Sequence, residues 1–164
     1  MISDIVKPIA LELPAGIRRA TTEDIPAMVE LGELFFNETI LGEMTQYDPE
    51  SMAMTLMNLV SGINSVAIVM EQDGEIVGGI GGYMLPSYFN MNAMMGQQVF
   101  WYVHPKYRSH RSVKLLQGFE QWCKSVGCHM IWSGAKMNEN NEAMSAMLQR
   151  RGYKPLETVL IKGV

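Results

Sequence analysis

Apolar positions along the chain change period several times, and each change marks a predicted element. Residues 16–20 form a short strand candidate. Thr21-Thr22-Glu23-Asp24 supplies an N-cap acceptor and first-turn acids for a helix with Pro26 in its first turn. Ile25, Met28, Val29, Leu31, Leu34 and Phe35 keep helical spacing, and the helix is predicted to end around Asn37. A polar loop over 38–48 follows. Asp48-Pro49-Glu50 then opens a second helix, which carries Met52, Leu56, Leu59 and Val60 down to Gly62. The β-branched run 65–70 reads as a strand. The Asp73-Gly74 step reads as a hairpin turn into a glycine-rich return strand over 75–84, where the glycines imply a bulge or a close backbone approach.

The second half reads as strand, helix, strand, helix, strand. A loop holding Pro86, Asn90 and Asn92 leads to a strand over 97–103 and a cation-rich turn over 104–111. An amphipathic helix over 112–126 carries Val113, Leu116, Phe119, Cys123 and Val126 on one side, with Leu115 and Trp122 widening the stripe, and Gly127 stops it. A strand over 129–133 precedes a helix that starts within 138–141 and stops at Gly152, and residues 158–161 read as a closing strand. Crossover helices after the two later strands make the class mixed α/β. At 164 residues, with no internal repeat and no Pro/Gly/Ser linker, the chain is expected to be one domain over 1–164, with 1–15 as an N-terminal extension.

Composition narrows the picture. Apolar residues make up 48% and charged ones 18%, enough to bury a core without disulfide or metal staples. A formal charge of −4 does not favour nucleic acid or anionic membrane, and there is no aromatic–basic alternation of the nucleic-acid kind. Two cysteines, 123 and 128, and scattered histidines at 104, 110 and 129 make no metal-ligand spacing, so no metal is expected. No apolar run is long enough to span a membrane, the N-terminus does not read as a signal peptide, and a cytoplasmic location is expected. The fifteen methionines include two clusters, at 52–57 and 91–95, that suit either core packing or an adaptable surface.

Candidate chemistry concentrates in one place. Four of the thirteen lysines and arginines, Lys106, Arg108, Arg111 and Lys114, fall within nine residues at the start of the 112–126 helix, with His104 and His110 beside them. A helix N-terminus offers unpaired N–H groups and a partial positive charge, so such a turn suits a diphosphate. A solvated basic turn explains the same pattern, and the residues alone leave both readings open.

The segment Val103-His104-Pro105-Lys106-Tyr107-Arg108-Ser109-His110-Arg111-Ser112-Val113-Lys114-Leu115-Leu116 resembles the acetyl-CoA loop of GNAT-family N-acetyltransferases. Three further stretches resemble that family in the same order: Ile17-Arg18-Arg19-Ala20-Thr21 with Asp24, Asp73 to Gly78, and Asn141 with Leu148, Gly152 and Tyr153. Phe100 to Pro105, ahead of a loop poor in glycine, is most similar to the phage-encoded branch. The resemblance implies a GNAT-like fold: a central mixed, mostly antiparallel sheet of about six to seven strands, splayed between the fourth and fifth, flanked by about four helices. It further implies transfer of an acetyl group from acetyl-CoA directly to a primary amine on a small molecule or peptide, with acetyl-CoA as cosubstrate. The cleft is expected where strand 97–103 splays from strand 129–135. Trp101, Tyr102 and Val103 would pair with the pantetheine arm. Ser109, His110, Arg111, Ser112, Val113 and Lys114 would wrap the pyrophosphate with backbone N–H groups, with Arg108 opening this cofactor-binding loop, and Asn141 would touch the pantetheine or the reacting end. Members of the family often pair through sheet edges or the C-terminal strand, so a homodimer is one expected assembly.

Three departures bear on chemistry. Arg111 and Val113 fill slots that are normally glycine, or glycine or alanine. Leu148 stands where many members carry a tyrosine that protonates the leaving thiolate, and Gln98 stands where a glutamate often serves as base. Glu33, Glu38, Glu43, His104 and Glu139 are the remaining base candidates, and none is singled out as catalytic. These departures keep open an alternative from another class, a CoA-binding or protein-interaction module on the same fold, with the aromatic- and Met-rich 88–95 stretch as its docking surface.

Overall fold

A computed structural model describes residues 11–134 and 141–164. The chain divides into two compact units, Met1–Trp132 and Ser133–Val164. The first holds a five-stranded sheet in the order β1 (Ile17–Arg19), β2 (Ser65–Gln72), β3 (Glu75–Ser87), β4 (Asn90–Val103), β5 (Met130–Trp132). Neighbours pair antiparallel except β4 and β5, which run parallel. Helices α1 (Ile25–Asn37) and α2 (Pro49–Ser61) cover one face, burying Met28, Leu56 and Leu59 against Ala67 and Val69. Helix α3 (Val113–Ser125) packs on β2, β3 and β4 from the other face, with Leu115, Leu116, Phe119 and Trp122 fully buried. The second unit contains α4 (Asn141–Arg150), closed by Gly152 in the left-handed region at φ 94°.

Each element has a local cause. Arg18 donates from both terminal guanidinium nitrogens to the two Asp24 carboxylate oxygens at 2.8 Å, and the Thr21 backbone N–H donates to Asp24 at 2.8 Å. This one carboxylate ties β1 to the start of α1. Asp48 caps α2 by accepting from the Glu50 and Ser51 backbone N–H groups. The β2–β3 turn takes φ 52° at Asp73 and 82° at Gly74, the pair of positive values that suits a hairpin to the right-handed strand twist.

Asp24 yields a pH prediction. Hydrogen bonds from Arg18 hold its carboxyl at about 2, below the ordinary 3.8, against the opposing effect of burial. A depressed folded-state pKa stabilises above the unfolded value, and that contribution drains away as pH falls from 3.8 towards 2. Asp24→Asn is therefore expected to cost about 2 kcal/mol at neutral pH. It should also flatten the acid limb of a stability curve measured by urea unfolding.

The structure corrects several sequence expectations. Residues 85–96 are not a loop: β3 and β4 run on to a tight turn at Tyr88 and Phe89 and form one long hairpin. Pro86 is tolerated there because β3 pairs with β2 only up to Tyr83, so its outer edge needs no N–H at that position. The polar loop over 38–48 contains a short 3-10 turn, Ile40–Glu43. The expected closing strand over 158–161 is irregular, exposed chain, with Val159 75% and Leu160 89% exposed. A β-branched run becomes a strand only when a sheet edge pairs with it, and among the described residues none does. Among the described residues the sheet has five strands, and the six to seven expected are not confirmed. Residues 138–140, where the last helix was expected to start, and residue 135 of the expected cleft lie outside the described residues.

Candidate functional site

The site is built at the end of β4. On β3, Gly81 pairs with Phe100 and Gly82 with Gln98, leaving Val99 as an extra residue that bulges β4. Past the bulge, the His104 N–H donates to the Val77 carbonyl at 2.9 Å, so the backbone groups of Tyr102 and His104 turn to β3. By strand alternation, Trp101 and Val103 turn theirs to the opposite edge. On that edge β5 pairs only with Met95, Gly96 and Gln97. Residues 99–103 therefore present an edge with no strand partner among the described residues. This is the geometry expected of a splay between the fourth and fifth strands.

The turn after β4 folds on local acceptors. His104 Nδ1 accepts from the Lys106 N–H at 3.2 Å and starts a 3-10 turn over Pro105–Tyr107. Ser109 Oγ accepts from the Arg111 N–H at 3.2 Å, and Ser112 Oγ accepts from the Ser109 N–H at 3.3 Å, around a second turn, His110–Ser112, that leads into α3. None of residues 104–113 takes a positive φ. The side chains of Arg111 and Val113 therefore meet no backbone penalty in their slots, and any consequence of the missing glycines is one of space alone.

The cations expected to crowd a phosphate are put to different uses. Lys106 lies 5.3 Å from the Tyr107 ring centroid, and Lys114 Nζ donates to the Ala15 carbonyl at 3.0 Å. Ser109, His110 and Arg111 are exposed, while Ser112 and Val113 are half-buried. Arg108 turns back from the loop: Nε donates to the Val103 carbonyl at 2.9 Å, and one terminal nitrogen donates to both Glu38 oxygens at 2.8 and 2.9 Å. Asn141 is the first residue of α4, in the second unit, where Leu148 is buried.

Glu38 is one of several base candidates in the sequence, and the structure gives it a definite place. It follows the last residue of α1, where a carboxylate faces the negative end of the helix dipole. That mismatch of sign is the signal by which the sequence marks it as a residue with a long-range partner. Besides Arg108 it accepts from the Tyr102 hydroxyl at 2.7 Å. Burial, then this bond, push the Tyr102 phenol up to about 12, so it stays protonated and donates. Beneath Tyr102, a pocket lined by Met28, Leu31, Phe35, Met52 and Phe100 has a free volume of about 20 Å³. That is roughly the space of one water, so the α1 side of β4 is packed shut.

Other chemistries find little support. The thiols of Cys123 and Cys128 are free, and burial pushes both up, away from the thiolate form a nucleophile needs. Among the described residues, no three His, Cys, Asp or Glu side chains converge as a metal site, and no helix is long and apolar enough to cross a membrane. Charge is strongly segregated: no lysine or arginine falls between Arg19 and Lys106, so α1, α2 and the loop between them carry only acids, while the turn before α3 is basic.

Solved structures with the same fold share little sequence. AAC(6')-Iy in complex with the bisubstrate analogue CoA-S-monomethyl-acetylneamine superposes with a TM-score of 0.71 at 14% identity, over 89% of this chain and 95% of that one. A transcriptional regulator from Bacillus halodurans C-125 gives 0.71 at 19%, over 90% and 98%. A predicted acetyltransferase with acetyl-CoA from Clostridium acetobutylicum gives 0.70 at 16%, over 90% and 94%. No curated protein matches the sequence. The family described as acetyltransferase (GNAT) matches residues 31–153, a span that runs from within α1 past the end of α4 and takes in the β4 bulge and the basic turn, and the chain belongs to that family.

Proposed function

We propose that this protein is an N-acetyltransferase that moves an acetyl group from acetyl-CoA directly to a primary amine. The observation that carries the reading is the β4 edge beyond Gln97, where the backbone groups of Trp101 and Val103 point outward beside a basic turn and a helix N-terminus. In this reading the edge pairs with the pantetheine arm, with the Trp101 and Val103 N–H groups as its donors. The turn Ser109 to Lys114 holds the diphosphate, and Asn141 meets the pantetheine end. A backbone N–H at the edge stabilises the oxyanion as the amine nitrogen attacks the thioester carbon. The C–S bond then breaks, the thiolate leaves, and the ammonium proton passes to water or buffer. No side-chain acid or base is assigned: a thiolate leaves without a strong acid, which accommodates Leu148 in the usual tyrosine slot.

The segregated charge supports the two substrates. A basic turn suits the anionic cofactor, and an acidic α1–α2 face attracts a cationic amine at long range. Aminoglycoside acetyltransferases among the structural relatives, one of them in complex with sisomicin, use acceptors of that kind. An amine-bearing acceptor, a single catalytic domain, a cytoplasmic site of action and a place in the phage-encoded branch all belong to this proposal.

Calorimetric titration with acetyl-CoA tests the proposal, with CoA and ADP as controls. Micromolar binding, part of it retained by ADP, is expected. Arg111→Ala is expected to weaken it by about 1–3 kcal/mol if the lost contact is charge-assisted. Absence of binding at millimolar ligand would overturn the enzyme reading and leave the interaction module, whose docking surface would be the exposed Tyr88, Phe89 and Met91 at the β3–β4 tip.

A further inference from the structure

We infer that Glu38 is a positioning residue for the cofactor loop, acting through Arg108, an inference that rests on the acetyl-CoA reading of the β4 edge. The network joins the end of α1 to β4 and the turn that follows it, far along the chain. Glu38 at the end of α1 accepts from Tyr102 on β4 and from Arg108 in the turn, contacts separated by 64 and 70 residues. Arg108 also donates to the carbonyl of Val103, the last residue of β4, and its guanidinium carbon lies 5.2 Å from the Tyr102 ring centroid. Phe35, one turn before the end of α1, meets the same ring at 5.4 Å. The guanidinium is therefore engaged on three sides before any ligand arrives.

This arrangement assigns Arg108 a different role from a direct phosphate contact. Its side chain bends the chain leaving β4 back onto Val103 and fixes where Ser109 begins the loop. Glu38 holds it in that pose: one terminal nitrogen reaches both carboxylate oxygens while Nε is committed to the Val103 carbonyl, and the two anchors fix the plane of the guanidinium. The pair is part-exposed, with side chains 41% and 30% accessible, so its contribution to global stability is small. Its consequence lies in the pre-organisation of the loop. The bare carboxylate is unfavourable at a helix C-terminus, and Arg108 and Tyr102 offset that cost. The network also joins the end of α1, on the acidic face, to the loop of the anionic cofactor.

The test is a double-mutant cycle read as acetyl-CoA affinity by calorimetry, well below the melting temperature of every variant. Glu38→Gln and Arg108→Ala are each expected to raise Kd about tenfold, and the double variant should be no worse than either single one. Tyr102→Phe keeps the ring under Arg108, removes one hydrogen bond, and should give a smaller rise; with Glu38→Gln it carries the test if Arg108→Ala does not fold. Additive losses in the double variant would overturn the inference by making Arg108 an independent phosphate ligand. Lowered melting temperatures with unchanged Kd would overturn it by leaving the network merely structural. Failure of the unsubstituted protein to bind acetyl-CoA would overturn this inference and the transferase reading together, whereas binding with insensitive variants overturns this one alone.

Discussion

Trp122→Ala is expected to cost about 3–5 kcal/mol of folding stability, a large share of the ~5–15 kcal/mol that holds a domain of this size together. Trp122 is 1% exposed on the inner face of α3, and its ring stacks on Phe119, itself fully buried, with centroids 5.6 Å apart. Both sit in the layer between α3 and the sheet. Removing the indole leaves a cavity walled on one side by strands whose pairing resists collapse, which places the cost at the upper end. Urea unfolding monitored by far-UV circular dichroism reads it directly. A loss under about 1 kcal/mol would mean that α3 is not seated on the sheet as described. Because α3 begins at the basic turn, the variant is also expected to weaken acetyl-CoA binding near its melting temperature.

Gly82→Val is the second large effect, and it tests the geometry that opens the site. A Cβ at Gly82 would lie 2.3 Å from the Gln97 carbonyl and 2.8 Å from the Phe119 ring. The ring is packed in the core and the carbonyl belongs to the partner strand, so neither can give way cheaply. The expected cost is at or above the ~3 kcal/mol upper end usual for overpacking. Gly82 is also where the β3–β4 register shifts, so the same substitution should straighten or displace the Val99 bulge. That would re-aim Trp101 and Val103. Acetyl-CoA affinity is therefore expected to fall even in whatever fraction of the protein stays folded, as measured after gel filtration of the compact species. A variant that bound acetyl-CoA normally would show that the bulge does not set the edge.

These two residues also mark how far the sequence can be read. The α3 stripe that buries Trp122 and Phe119 is legible, because 3.6-residue periodicity records which face is covered whatever covers it. The glycines of β3 are legible as a sign of close approach, though not as to what approaches. Residues 85–96 read as a loop because Pro86 and two asparagines carry turn chemistry, and only pairing with a partner strand overrides it. The strand expected over 158–161 fails for the complementary reason: β-branched residues favour an extended chain, and without a paired partner that preference alone makes no strand.

The candidate site divides along the same line. The basic turn, its serines and the helix behind it are contiguous, so local spacing alone is enough to group them. Glu38 stands 64 residues from Tyr102 and 70 from Arg108, and nothing local distinguishes it from Glu33 or Glu43 except its place at the helix end. What the sequence by itself determined was the order of elements as far as α4, the buried faces of α1, α2 and α3, the Asp73-Gly74 turn and the cation-rich approach to α3. All of these follow from backbone preference and hydrophobic period, which act over a few residues. Only the tertiary structure decided the register bulge at Gly82, the end of β4–β5 pairing at Gln97, and the capture of Arg108 by Glu38. Those depend on which surfaces meet across long loops, and contacts between distant segments leave no periodic trace in the chain that makes them.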